Sequence, residues 1–311
     1  MDQRPIGEDE LAAVADRAPE IAAALEREIA RAVIGQRDVV RQVLLALFVG
    51  GHVLVRGVPG LAKTLLIKSL ASALHLEFNR IQFTPDLMPG DIVGAEVLEE
   101  DKTTGRRVTR FIRGPVFCNV LLADEINRTP PKTQSALLEA MQERQVTIAG
   151  ERYALPEPFF VMATQNPIEQ EGTYRLPEAE LDRFLFNVTI EYPSLDDEER
   201  ILSETTSSRV PEIARVADAR LILTLQRVVR DVVAASNVVR YAARLVRASR
   251  PAGPDALDFA REWVSWGAGP RAGQALILGA KAHALLSGRA VVSPAWLMTV
   301  ARNRLVDHWR A

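Results

Sequence analysis

The chain of 311 residues is 48% hydrophobic and carries 40 acidic against 38 basic side chains, a formal net charge of −2. That length suggests about two domains and a core that needs no staples, and a single cysteine, Cys118, excludes a disulfide framework and suits a reducing compartment. The near-neutral total disfavours a strongly basic nucleic-acid binder, yet it hides a split: residues 1–199 hold 21 basic and 32 acidic side chains, net −11, and residues 200–311 hold 17 and 8, net +9.

The first residues place no apolar core behind a basic end, so no signal peptide is expected. The longest apolar run, 43–55, has 13 residues and includes His52, against the about 20 that a bilayer-spanning helix needs. A cytoplasmic chain without membrane insertion is therefore expected. Residues 8–31 are rich in Ala, Leu, Ile and Glu at helical spacing, and a second amphipathic helix covers 38–48. β-Rich runs and helices then alternate: HVLVRG (52–57), a helix over 63–74, and FNRIQF (78–83). A polar stretch punctuated by Gly and Pro occupies 84–107. FIRGPVF (111–117), the apolar strand NVLLADE (119–125), a helix over 131–143, a hairpin-like QVTIAGERYALP and the strand FFVMATQNP (159–167) follow. Apolar strands alternating with helices predict a mainly parallel sheet covered on both faces. From about residue 195 the pattern is almost wholly helical, with breaks at SRPAGPD (249–255) and SWGAGP (265–270). The expected organisation is an α/β domain over 1–193 and a smaller all-helical domain over 194–311.

Three motifs carry chemistry. GVPGLAKT (57–64) lies between a β-run and a helix. A phosphate-binding loop needs glycines so that backbone N–H groups turn onto oxyanions, a lysine for the β/γ-phosphates and a hydroxyl for Mg²⁺. Lys63 and Thr64 fill the last two places, and a helix N-terminus adds partial positive charge. Ala62 stands where the general pattern has its second glycine. The second motif is VLLADE, which ends an apolar strand on adjacent Asp124 and Glu125. Side chains alternate along a strand, but at its end both can serve one site. Asp124 is then a Mg²⁺-holding carboxylate beside Thr64, and Glu125 the general base for an attacking water. The third is ATQNP, where Asn166 offers an amide to a γ-phosphate and a water; Asn-Pro is also a common turn pair. Two later arginines, Arg183 in LPEAELDRF and Arg271 in WGAGPRAG, could stabilise charge on a transferred phosphoryl group.

GVPGLAKT, LLADEINRTPPKTQSALLEAMQE, VMATQNPIEQEGTYRLPEAELDRF and GAGPRA, in that order, resemble the MoxR family of AAA+ ATPases from about Val33 to the C-terminus. The resemblance implies an AAA+ P-loop NTPase core and a helical lid, ATP and Mg²⁺ as cofactors, and assembly into a homo-oligomeric ring, usually hexameric. It also implies a chaperone-like role on client proteins, often with a von Willebrand factor A domain partner. By the same resemblance Val58, Pro59, Gly60, Leu61, Ala62, Lys63, Thr64 and Leu65 belong to Walker A, and Asp124 and Glu125 to Walker B. Asn166 matches sensor 1, Arg183 the arginine finger acting on a neighbour's ATP, and Arg271 sensor 2, with ATP expected between the core, its own lid and the adjacent subunit. Ile34, Gly35 and Gln36 match the segment that packs on adenine, and 84–107 the helix-2 insertion facing the central pore. Arg175, Glu180 and Gly269 depart from the family's wording; Gly269 could loosen the entry to the sensor-2 helix, and Arg128 has no assigned role.

The remaining special residues carry bland expectations. His52, His75, His283 and His308 lack metal-ligand spacing, Cys118 is a small buried hydrophobe, and core packing is the default for Trp263, Trp266, Trp296 and Trp309 in the lid, with an exposed pair docking a partner as the alternative. Two rivals stay open: a nucleic-acid-stimulated ring motor, favoured by the basic C-terminal part, and a non-hydrolysing nucleotide switch.

Overall fold

The computed structural model describes residues 6–100, 107–167, 173–206 and 211–305. Its centre is a five-stranded sheet ordered β2-β5-β8-β1-β9, built from β1 (Val53–Arg56), β2 (Phe78–Gln82), β5 (Val120–Asp124), β8 (Phe160–Gln165) and β9 (Phe186–Thr189). All its pairings are parallel, as the strand–helix alternation predicts. Sequence reading placed no strand at β9, whose FNVT has no flanking turn signal.

Period-two alternation sorts the strand residues onto two cores. Val53, Val55, Val120, Leu122, Phe160, Met162, Phe186 and Val188 face one side, and Leu54, Leu121, Ala123, Val161 and Ala163 the other. The second side is covered by α5 (Pro131–Glu143), which contributes Leu137, Leu138 and Met141. Beside it lies the hairpin of β6 (Gln145–Ile148) and β7 (Glu151–Ala154).

The first side is covered by helices from both ends of the chain. α1 (Glu8–Ala30), α2 (Arg37–Val49) and α3 (Lys63–Ala73) pack there, and α1 and α2 in turn meet α8 (Ala219–Asp231) and α11 (Pro270–Leu286). One continuous apolar cluster runs from Leu25 and Leu44 through Phe186 to Leu225 and Leu276. Arg220 of α8 clamps Glu10 of α1 with two bonds, at 3.0 and 2.7 Å. α9 (Ser236–Ala248), α10 (Asp258–Trp263) and α12 (Pro294–Leu305) complete the helical part. The helices of 194–311 thus share a core with α1 and α2. Among the described residues no helix is long and apolar enough to cross a membrane.

The stretch 84–107 holds a short helix, α4 (Pro89–Val93), and the strand β3 (Gly94–Glu100), which pairs antiparallel with β4 (Arg107–Arg113) in an exposed ribbon; residues 101–106 lie outside the described set. Cys118 is buried, as expected, and burial pushes its thiol up to about 12. Trp296 is partly buried and stacks on His283. Trp263 and Trp266 depart from the packing expectation: they are 75% and 79% exposed. His308 and Trp309 lie outside the described residues.

His52, just before β1, is a buried cross-brace. Its Nδ1 accepts the Val161 N–H at 3.0 Å, and its Nε2 donates to the Met141 carbonyl at 3.2 Å. These two bonds require the neutral ring, and burial lowers its pKa from 6.5 to about 4. An unfolded chain takes up the proton near pH 6.5 while the folded chain refuses it until about pH 4. The stabilisation is therefore complete above pH 6.5 and is lost as pH falls through this window, by at most about 3 kcal/mol. His52→Gln can keep both bonds without titrating. Denaturant midpoints measured from pH 7.5 to 4.5 should fall more steeply for the parent than for H52Q; equal slopes would refute the assignment.

Candidate functional site

Parallel strands deliver their following loops to a single edge. β1 leads into the loop 57–64, β5 into Asp124 and Glu125, and β8 into Asn166, so these residues gather along the C-terminal edge of the sheet. This is where a parallel α/β sheet binds ligands.

The loop 57–64 is shaped by two left-handed residues, Gly60 at φ +86 and Ala62 at φ +55. Glycine takes such a conformation freely, whereas a residue with a Cβ incurs about 1–2 kcal/mol. The departure from the general motif therefore falls on a strained position. Ala62 is also the N-cap of α3 and has no capping side chain, which leaves the helix's first N–H groups available to an anion. Lys63 Nζ donates to the Gly57 carbonyl at 2.7 Å. Burial pushes the Lys63 ammonium down, and the nearby charges of Asp124 and then Glu125 oppose that shift. Lysine and acidic pair thus lie within electrostatic reach of one another.

Asp124 closes β5, and Glu125 follows at φ +58, ψ +48. This left-handed turn lets both neighbours serve one site, at a strain of about 1–3 kcal/mol. Thr164 of β8, fully buried, braces it. Its hydroxyl donates to Asp124 Oδ1 at 2.6 Å and accepts the Glu125 N–H at 2.9 Å. Asp124 Oδ2 accepts from Arg80 of β2 at 2.7 Å. Glu125 Oε2 accepts from Gln82 of β2 at 2.9 Å and from Arg128 at 3.2 Å. Arg128, unassigned from sequence, is thus a partner of Glu125. Asn166 is buried immediately after β8.

The segment 33–36 borders the loop, since Gln36 Nε2 donates to the Leu61 carbonyl at 3.2 Å. Ile34 is buried and Gly35 exposed at φ +80. A Cβ on Gly35 would stand 2.7 Å from the Asp197 side chain, on α7 (Leu195–Thr205), so this position requires glycine and places α7 beside the loop.

Mg²⁺ is tested by donor chemistry. Among the described residues no cluster of three or more His, Cys, Asp or Glu could cage a metal. Mg²⁺ commonly takes one or two protein oxygens and completes its shell with phosphates and waters. The Thr64 hydroxyl and the Asp124 carboxylate are such donors, so the residues fit the ion.

Arg183 and Arg271 lie elsewhere. They line one cleft of about 250 Å³ with Gly51, Met141, Asp182 and Leu185. Leu185 donates its N–H to the His52 carbonyl at 2.8 Å, which fixes the cleft at the N-terminal edge of the sheet. From His52 to Gly57 the chain travels roughly 17 Å. Arg271 thus joins Arg183, on the edge of the sheet opposite to the chain's own phosphate loop. Arg183 follows α6 (Glu178–Leu181), which Ser135 of α5 holds through Glu180 Oε1 at 3.1 Å. Gly269 is the extended N-cap of α11, and a Cβ there would meet nothing nearer than Asp182 at 3.9 Å, so glycine is not required by space.

Arg80, Gln82 and Thr164 escaped sequence reading. For Arg80 and Gln82 the one available signal was polar residues at alternate positions of FNRIQF, and it becomes meaningful only once β2 is known to lie beside β5.

Residues 52–186 match the model of the ATPase family associated with various cellular activities (AAA), and residues 259–305 match the AAA lid domain. The chain is 43% identical over 285 residues to Chaperone MoxR1 of Mycobacterium tuberculosis, covering 90% of this chain and 74% of that protein. It is 33% identical over 289 residues to Protein MoxR of Methylorubrum extorquens, covering 88% and 82%. A crystal structure of a provisionally assigned ATPase from Cytophaga hutchinsonii superposes with a TM-score of 0.83 at 35% identity, covering 95% of this chain and 88% of that one.

The strain at Ala62 predicts that Ala62→Gly stabilises the nucleotide-free chain. Relief of the left-handed penalty, less the added freedom of the unfolded chain, leaves a gain of about 0.5–1 kcal/mol. A rise in Tm of about 1–3 °C is expected by calorimetry. An unchanged or lower Tm would show that Ala62 carries no strain.

Proposed function

The chain belongs to the MoxR family of AAA+ ATPases, and on that premise we propose that it hydrolyses ATP at sites shared between neighbouring copies of a ring, coupling turnover to the remodelling of client proteins. The observation that carries this reading is the division of the phosphoryl-transfer groups between two edges of one sheet. Lys63, Asp124, Glu125 and Asn166 follow strand C-termini, whereas Arg183 and Arg271 share a cleft at the other edge. A single copy cannot close both sets on one nucleotide; two copies stacked head to tail can.

In this reading the N–H groups of the loop 57–64 and Lys63 hold the β- and γ-phosphates, while the segment 33–36 borders the base. Thr64 and Asp124 hold Mg²⁺, which when bound neutralises charge on the phosphate oxygens. Arg80 releases Asp124 Oδ2 for that purpose. Glu125 takes a proton from the attacking water, whose oxygen forms a bond to the γ-phosphorus as the bond to the bridging oxygen breaks. ADP and phosphate leave. Asn166 orients the water. Gln82 and Arg128 aim the Glu125 carboxylate, and release of one of them frees Oε2 for the proton. Arg183 and Arg271 of the adjacent copy offset charge on the transferred group.

The output follows the family resemblance: a ring, taken as six copies, acting on client proteins together with a von Willebrand factor A domain protein. The β3–β4 ribbon, with Leu98 and Ile112 exposed, is the surface offered to a client.

Glu125→Gln should bind ATP with little change while phosphate release falls about 10²–10⁴-fold. Arg183→Ala should be impaired about 10³-fold or more. Mixing the two inactive proteins should restore turnover, because some shared sites regain both Glu125 and Arg183. Absence of recovery at concentrations where mixed assemblies form would rule out the shared site.

A further inference from the structure

Glu125 caps a single helical turn, Ile126–Arg128, and Arg183 follows α6 on a later segment. α5 holds both. Gln134, near its start, has no exposed surface. Its Nε2 donates to the carbonyls of Ile126 at 3.1 Å and Thr129 at 2.9 Å, with a longer contact to that of Tyr174 at 3.4 Å. Its Oε1 has no partner among the described residues, so its hydrogen bonding runs through the amide N–H groups alone. Tyr174 closes the knot, because its N–H donates to the Asn127 carbonyl at 2.7 Å. One buried amide thus joins the turn that carries Glu125 and Arg128 to the start of the segment that leads to Arg183.

The next residue of α5 reaches the other end of that segment. Ser135 Oγ donates to Glu180 Oε1 at 3.1 Å. The Arg183 N–H in turn donates to the Glu180 carbonyl at 3.1 Å. Glu180 Oε2 is buried and has no partner among the described residues, so the Ser135 hydroxyl orients this carboxylate. Beneath these bonds Ile126, Leu137, Leu138, Leu176 and Phe184 belong to one apolar core. A close-packed core passes displacement from one wall to the next, so the turn, α5 and the arginine segment are coupled by packing as well as by hydrogen bonds.

We propose that Gln134 and Ser135 are positioning residues for Arg183, and that they hold the arginine a copy lends to its neighbour in fixed relation to that copy's own Glu125. The proposal rests on the shared-site reading above. Neither side chain meets a reacting atom; Gln134 acts through main-chain carbonyls and Ser135 through Glu180. Their reach differs. Gln134 bonds carbonyls on either side of Arg128, the partner of Glu125, and so serves both the copy's own site and the neighbour's. Ser135 serves the arginine end and hence the neighbour's site.

The test mixes two full-length chains, Glu125→Gln and Arg183→Ala, so that every recovered site takes Arg183 from the first and Glu125 from the second. Gln134→Leu, which keeps the side chain's bulk, is added to either chain. In the Arg183-lending chain it should lower the kcat of the recovered sites about tenfold or more while the KM for ATP stays within about twofold, the split expected when a group used in the transition state is misplaced. In the Glu125-bearing chain it should lower kcat as well. Ser135→Ala in the lending chain should lower kcat about two- to tenfold, as for one lost hydrogen bond, and at least about twice as far as the same substitution in the other chain. Mixtures are compared where sedimentation velocity shows equal assembly, and each variant's fold is verified by its thermal transition. Should Gln134→Leu fail to fold, Ser135→Ala decides. Ser135→Ala acting equally from either chain, Gln134→Leu silent in the lending chain, or a loss confined to KM overturns the positioning role and leaves the shared site standing. No recovered turnover from the two starting chains overturns both.

Discussion

A sheet whose strands all run one way has two chemically different edges, and the rest of this molecule depends on that asymmetry. The C-terminal edge collects helix N-termini and strand ends, hence the phosphate loop and the carboxylates. The N-terminal edge receives Gly51, His52 and Leu185, and with them the arginine cleft. No side-chain rearrangement can merge the two, because the strands themselves are the spacer. The separation is therefore a property of the topology rather than of any one residue. On the proposed shared-site reading, each copy presents a phosphate loop whose arginines come from a neighbour.

The phosphate edge carries two of the five left-handed non-glycine residues found among the described residues. Ala62 and Glu125 both take left-handed backbone, one shaping the anion loop, the other turning a carboxylate toward it. Such conformations persist only where the surroundings over-determine them. Here the determinants are visible: Thr164 ties Glu125 to Asp124, and strands β1, β5 and β8 are fully buried except at their last residues. Packing with two distinct cores, one for each face of the sheet, holds the strand ends still enough for the strained residues to stay aimed.

What could be read from the sequence, and what could not, divides along the same line. The strand–loop–helix around Lys63 and the acidic end of NVLLADE are local patterns, so their structure was legible. Apolar strands alternating with helices likewise announced a sheet covered on both faces. Arg80, Gln82 and Thr164 were invisible because their meaning depends on which strands are neighbours, a fact that no spacing within one strand contains. The edge that Arg271 reaches was not legible: its chain position says that it starts a helix, while the packing of α11 against α2 and α9 decides where that helix end lies. For Trp263 and Trp266 packing was the default by residue type and an exposed pair the alternative, and neither the six-residue helix α10 nor the loop after it has enough periodicity to decide between them.

The opposed charges of the two parts of the chain, −11 and +9, take on a definite geometry in this light. Part of the attraction is used within the chain, where Arg220 clamps Glu10 and Glu28 accepts the Ala214 N–H. These contacts join α1 to the C-terminal helices, so the two parts are not independent bodies that attract one another across a hinge. The charge left over faces outward: α7 exposes Asp196, Glu198 and Glu199, whereas around Trp263 and Trp266 the exposed Asp258 and Glu262 offset Arg250 and Arg261, and Arg247 is paired with Asp255. The intramolecular clamp holds these outward faces in fixed relation. The small net charge is then a sum of opposed contributions, part of which is neutralised within one copy.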